Sequence, residues 1–475
     1  MLNSLNFTQV FRKVPMKETK VLIVGAGLAG SEAANFLAKR GIKVVLVESK
    51  AKNLNPAQKI KTAAELVCTN SLKSLNPTSG HGLLKFEMEK LGSLVLEAGK
   101  KTAVPAGDAL AVDRVLFSEL IHKTLIENPN ITYIDEEVVD PLETGKKYDC
   151  DYLVLASGPL TTEPLAAWIK GKIANDDFYF YDAIAPVVDA ESLDFSKLYY
   201  KDRYKSVSEE EGQNADYLNC PLSKEEYENF VSELTQAEKV PPKNFEELKY
   251  FEACLPIDTM AERGRETLRF SCMKPVGLET PEGKIPYACV QLRKENLLGS
   301  AFNLVGFQTR LSYKEQVRIF KTLPGFADAN FIHLGSVHRN SFLHSGKFLN
   351  FDLSSREFPK LYFAGQITGV EGYTESASMG LYVALQIFRK IKDLEPLKFP
   401  PETAIGALIN YLMTQTRPAP SSINFGLLPP VILSKKEGRG REGKKFKKNL
   451  MAIRAQEKFG DLLKQMAYDL KDEGF

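Results

Sequence analysis

Six cysteines, Cys68, Cys150, Cys220, Cys254, Cys272 and Cys289, are the side chains of this 475-residue sequence best suited to nucleophilic or redox chemistry. They are widely scattered, with no CxxC. The five histidines, His81, His122, His333, His338 and His344, show neither HxxxH nor HxH spacing. In a chain of this length the pattern is neither a disulfide framework nor a zinc site, so reduced thiols and no metal are expected. Spacing alone does not separate a catalytic thiol from one that packs as a small hydrophobe. Cys254 poses the question most sharply, because FEACLPID (251–258) sets it between an acidic aromatic run and a proline.

The other chemical signal is VLIVGAGLAGSEAANFLAKRGIKVVLVE, residues 21–48. Val21 to Val24 read as a short apolar strand, and Gly25, Gly27 and Gly30 form GxGxxG with Ala26, Leu28 and Ala29 between them. A helical stretch follows, and a second apolar strand ends at Glu48. Gly25 suits a tight turn, Gly27 lets backbone amides approach a pyrophosphate, and Gly30 lets the helix pack on the strand. The positive helix end then faces the phosphates. Glu48 is placed to accept from an adenosine ribose, which argues against a 2′-phosphate.

Two further stretches extend this site. KLYFAGQITGVEGYTESASMGLYVALQIFRKI (360–391) reads as strand, glycine-rich turn and helix, and CDYLVLASGPL (150–160) as a strand ending in small residues. Three such elements, widely spaced, favour FAD over a single nicotinamide site. Ala364-Gly365 lies where many FAD proteins have Gly-Asp touching the ribityl chain, and Gln366 replaces the acid. Tyr373 is a candidate to cover the isoalloxazine face.

The elements that must position these residues fall into an α/β, Rossmann-like FAD-binding domain with an inserted α+β domain. The expected division is an N-terminal extension (1–19), a first FAD-binding part (20–186), the insertion (187–324), a second FAD-binding part (325–434) and a basic C-terminal segment (435–475). The insertion is marked by acidic and aromatic segments alternating with strand-like pieces such as YACVQL. No apolar run approaches the ~20 residues of a membrane span. No secretory signal is expected in the first nineteen residues, a cytoplasmic location follows, and Met16 is an alternative start. Net charge is only +2, yet nine basic residues stand between Lys435 and Arg454 against Glu437 and Glu442. That run reads either as a solvated tail or as a handle for a polyanion such as RNA.

Taken in order, the motifs resemble one family, the folate- and FAD-dependent tRNA (uracil-5-)-methyltransferases (TrmFO), relatives of the GidA-type flavoproteins that modify tRNA. The matching stretches include GAGLAGSEAA, AELVCTNSLKS (64–74), VPAGDALAVDR (104–114), FEACLPID, VQLR (290–293), VGFQT (305–309), HRNSF (338–342) and FAGQITGVEGYTESASMGL (363–381). They cover most of the chain. The resemblance implies a glutathione-reductase-like FAD fold and transfer of a methylene from 5,10-methylenetetrahydrofolate to uracil C5 in the tRNA T-loop, giving 5-methyluridine at tRNA position 54. NAD(P)H is the implied reductant. By motif, Cys254 matches the attacking cysteine and Cys68 a second thiol close to the flavin. His338, Arg339 and Asn340 are candidates to bind folate. Three alternatives stay open: the same chemistry on ribosomal RNA, a flavin-dependent oxidoreductase of small molecules with the thiols as a redox pair, and a non-catalytic flavoprotein that binds RNA.

Overall fold

The structure is a computed structural model and describes residues 19–54, 58–174, 179–203, 215–240, 255–294, 299–416, 420–433 and 440–471. Five segments form a parallel sheet: β1 (Lys20–Val24), β2 (Lys43–Glu48), β3 (Ile131–Asp135), β4 (Tyr152–Leu155) and β5 (Leu361–Phe363). Their order is β5-β4-β1-β2-β3, and every pairing is parallel. The inner strands are continuous apolar runs because both faces are covered. Val21, Leu22, Ile23, Leu46 and Val154 are fully buried. The chain leaves β1 towards β2 on one side and later builds β4 and β5 on the other. The crevice beyond the carboxyl end of β1 is therefore a topological switch point, where such sheets bind ligands.

Helix α1 (Leu28–Ala38) follows β1 directly and is buried along its whole length. Helix α2 is Gly80–Lys90, α3 is Tyr373–Ile391, α4 is Ala404–Thr414 and α5 is Gly440–Lys471. The close meeting of α1 with α3 depends on small residues. A Cβ on Gly380 would lie 2.1 Å from the Ala29 carbonyl oxygen.

Between β4 and β5 the chain builds a second core around a six-stranded sheet. Its order is Tyr199–Tyr200, Tyr217–Leu222, Ala288–Lys294, Ala301–Leu304, Val187–Asp189, Phe331–His333. Every pairing there is antiparallel. Phe230, Phe302, Phe307 and Phe320 fill this core. Helix Lys224–Gln236 backs it, opened by a reciprocal cap between Ser223 and Glu226. A two-stranded ribbon, Tyr179–Ile184 paired with Ser336–Ser341, carries the chain into and out of this unit. Among the described residues, no helix is long and apolar enough to cross a membrane.

Candidate active site

A cavity of about 700 Å³ opens at the carboxyl ends of β1, β2, β3 and β4. Its walls are the β1–α1 turn, Glu48, the segment Cys68–Lys73, residues 156–165, Gln308, and the turn that leads from β5 into α3. That volume is towards the upper end for small-molecule sites.

The glycines of the first turn have separate duties. Gly25 has φ +100°, and its amide donates to the Val47 carbonyl at 2.8 Å. A Cβ at Gly30 would sit 1.8 Å from the Gly25 carbonyl oxygen, so only hydrogen fits between turn and helix. At Gly27 a Cβ would meet nothing within 4 Å, and no side chain caps α1 there. Open space thus lies over a helix N-terminus whose first amides lack helical partners. That cradle fits a pyrophosphate. Ala26, Leu28 and Ala29 are all buried beside it.

Glu48 lies at the cavity wall, and its carboxylate also organises the loop. Oε2 accepts from the Ala26 amide at 2.7 Å, and Oε1 from the Ser49 and Lys50 amides at 2.8 and 3.1 Å. Any ribose contact therefore shares a carboxylate already engaged by backbone.

A second helix N-terminus, that of α3, meets the same cavity. Gly372, with φ +117°, precedes it without a side-chain cap. Gly365, φ +84°, comes so close to α1 that a Cβ would lie 2.8 Å from that of Ala29. Gln366 donates from Nε2 to Glu371 Oε2 at 2.7 Å. Glu371 thus fixes the side-chain amide at 366.

Tyr373, the first residue of α3, turns its hydroxyl towards Cys68. Oη accepts from the amides of Cys68 and Thr69 at 2.7 and 3.1 Å. Burial, then the neighbouring Cys68, pushes the phenol well above its ordinary value. It keeps its proton. Glu375, one turn into the helix, is buried and accepts from the Ile423 amide at 3.1 Å and Thr374 Oγ1 at 3.0 Å. His81 Nδ1 lies 3.1 Å from its Oε1. Burial opposes the charge of Glu375, but His81 and Lys73 outweigh it and hold the carboxyl below its usual value.

The segment that follows Cys68 is gripped from the other side by the second core. Arg293 donates from Nε to Asn70 Oδ1 at 2.9 Å and from Nη2 to Thr69 Oγ1. Asn70 Nδ2 donates in return to the Lys294 carbonyl at 2.7 Å. Sequence reasoning did not single out Arg293 or Asn70, although VQLR and AELVCTNSLKS contain them. No local signal marks them, because the pair is 223 residues apart in sequence.

Cys254 lies outside the described residues. The residues after it are described: the Ile257 amide donates to the carbonyl of Gln308, a cavity residue, at 2.7 Å. Buried Asp258 accepts from Thr309 Oγ1 and the Arg310 amide, each at 3.0 Å, tying FEACLPID to VGFQT. His338, Arg339 and Asn340 stand on the strand Ser336–Ser341, opposite Asp182, Tyr181 and Phe180. That strand ends at Ser341, whose amide donates to the carbonyl of cavity residue Pro159 at 2.9 Å. Of the other thiols, burial pushes Cys150 up to about 11, and Cys272 and Cys289 up to about 12. Cys220 is raised for the same reason and donates to the Pro324 carbonyl at 3.2 Å.

Comparison with known proteins places this architecture. Residues 20–395 match the family described as Glucose inhibited division protein A. The chain is 49% identical over 452 residues to the methylenetetrahydrofolate--tRNA-(uracil-5-)-methyltransferase TrmFO of Aquifex aeolicus, covering 95% of this chain and 97% of that one. Identity to the TrmFO of Geobacter sulfurreducens is 47% over 428 residues, 89% and 95% of the two chains. Among solved structures, Aquifex aeolicus GidA superposes with a TM-score of 0.64 at 16% identity, over 96% of this chain and 76% of that chain, a likeness of fold. The chain belongs to the Glucose inhibited division protein A family and, within it, to the TrmFO family.

Proposed function

We propose that this protein transfers a one-carbon unit from 5,10-methylenetetrahydrofolate to uracil C5 in tRNA, at the T-loop uridine of position 54, with FAD as cofactor and NAD(P)H as reductant. The observation that carries this reading is the cavity, where two uncapped helix N-termini and the Cys68 segment meet at the switch point of the sheet. Near-full-length identity to TrmFO relatives supports the substrate. FAD, when bound, supplies a carrier for the one-carbon unit and the hydride that completes the methyl group.

The chain's own residues bind, orient and attack. The start of α1 holds the pyrophosphate, with Gly27 leaving room for it. Tyr373 fixes the backbone of Cys68 beside the cofactor. Uracil C5 is a weak nucleophile because its ring is conjugated. Addition of the Cys254 thiolate to C6 moves electron density to C5, and the sulfur is expelled once C5 has gained its carbon and lost its proton. The link from Ile257 to Gln308 supports this role for Cys254. The high thiols of Cys150, Cys220, Cys272 and Cys289 argue against those four. Cys68 serves as the second thiol, and His338, Arg339 and Asn340 contact folate where their strand reaches Pro159.

The test is Cys254→Ala, purified with its flavin and assayed for methyl incorporation into tRNA and ribosomal RNA transcripts. We expect bound flavin at the wild-type level and no methylated product, with tRNA as the only wild-type substrate. Full activity in the variant would remove the mechanism, and preference for ribosomal RNA would remove the substrate.

A further inference from the structure

Helix α5 changes character along its length. Met451, Ala455, Phe459, Leu462 and Met466 are buried and recur every three or four residues, a single apolar stripe. Phe459 meets Phe399 with ring centroids 6.1 Å apart, and Phe399 in turn meets Tyr382 of α3 at 5.2 Å. Further along, Arg389 of α3 pairs with Asp469 of α5 at 2.9 Å. Asp469 thus meets the last turns of α3 directly, and Phe459 reaches the middle of α3 through Phe399.

The first turns of α5, 440–449, span on the order of 15 Å at 1.5 Å per residue. In those turns the apolar stripe stops. The next stripe position towards the N-terminus is Lys448, and the sequence around it is basic. Lys445 and Lys447 precede it, and Glu442 is the lone acid of these turns. Lys445 and Lys448 are exposed. Among the described residues no ion pair engages Lys445, Lys447 or Lys448. Phe446 and Ile453, seven residues apart on the opposite face, are each 46% exposed. The root of this extension is fixed: Arg454 donates to the carbonyls of Pro429 and Pro430. The segment just before those prolines supplies the Ile423 amide to Glu375 at the cavity wall.

A body-packed helix whose first turns are basic, with Lys445 and Lys448 exposed, is built to meet a polyanion. We propose that the first three turns of α5 are a docking arm for the sugar-phosphate backbone of the substrate RNA, gripping it outside the modified loop. The proposal rests on the RNA-modifying function above. The arm's lysines neutralise phosphates and release counterions, and the exposed Phe446 offers a stacking face.

The experiment uses the full-length, flavin-loaded protein and a labelled unmodified tRNA transcript, with binding followed by fluorescence anisotropy across a potassium chloride series. Replacing Lys445, Lys447 and Lys448 together by alanine should weaken binding about tenfold or more near 0.15 M salt. It should also make the log–log salt slope shallower by roughly 2, three phosphate contacts' worth. Replacing the same three by arginine should restore both. Flavin content and thermal midpoint serve as fold controls. An alanine variant with the wild-type isotherm and slope overturns the arm, as does a loss that arginine fails to rescue. A variant that binds RNA normally but loses affinity for phosphatidylserine vesicles overturns it in favour of a membrane. A wild-type protein that binds no tRNA at any salt overturns the RNA reading itself, a separate outcome.

Discussion

Tyr373, a candidate to cover the isoalloxazine face, lines the cavity, and its hydroxyl has a task of its own. Oη takes two backbone amides from a segment 305 and 304 residues away in sequence. No local pattern encodes such a pair, which is why the sequence suggested stacking and not this tether. Phenylalanine at 373 keeps the ring and removes the acceptor of two part-buried amides. Removing one partner of such hydrogen bonds costs about 1–3 kcal/mol. We expect Tyr373→Phe to lower unfolding free energy by that amount in urea titrations. Methyl transfer should fall further than flavin occupancy, because the Cys68 backbone loses its anchor while the pyrophosphate cradle is untouched. A variant equal to wild type in both stability and turnover would show that the hydroxyl is incidental.

At the scale of elements, the strand–turn–helix that opens the fold was legible because its signals are local. Apolar runs give β1 and β2, and glycines mark the turn between them. Other features depend on more distant partners: the carboxylate of Glu48 spent on loop amides, and the C-terminal basic run continuing into a helix whose later turns pack on the core. The individual glycines separate folding from binding. Alanine at Gly30 would drive its Cβ into the Gly25 carbonyl at 1.8 Å, against backbone that cannot yield. Alanine at Gly27 meets no protein atom within 4 Å, at an ordinary φ of −70°. Gly30→Ala should therefore fail to accumulate as folded protein. Gly27→Ala should fold with an unchanged circular dichroism spectrum and lose flavin, read as the 450 nm absorbance per polypeptide. Equal behaviour of the two would contradict the assignment of Gly27 to the phosphate cradle.

On the scale of the molecule, two cores with separate interiors must hold one reaction volume steady, and among the described residues the second core meets the Cys68 segment through polar contacts. Arg293, at the end of its sheet strand, clasps Thr69 and Asn70, while Tyr373 of the first core holds Cys68 and Thr69. The segment from Cys68 to Asn70 is thus pinned between both units. An inserted unit was expected from the change in composition. This clasp was not, since Arg293 and Asn70 are 223 residues apart. Arg293 is buried, and its hydrogen bonds carry a charge, so truncation removes about 2 kcal/mol and leaves Asn70 Oδ1 without its donor. The flavin cradle belongs to the first core, so Arg293→Ala should retain flavin at the wild-type ratio. Methyl transfer demands that groups from both cores stay within a fraction of an ångström, and a misplacement near 1 Å costs on the order of 10²-fold in rate. Single-turnover methylation of tRNA by the flavin-loaded variant should slow by about that factor, with faster amide exchange confined to residues 68–72 and 290–294. Loss of flavin in parallel with activity would instead make Arg293 a support of the first core alone, and an unchanged single-turnover rate would mean the two units keep their register without it.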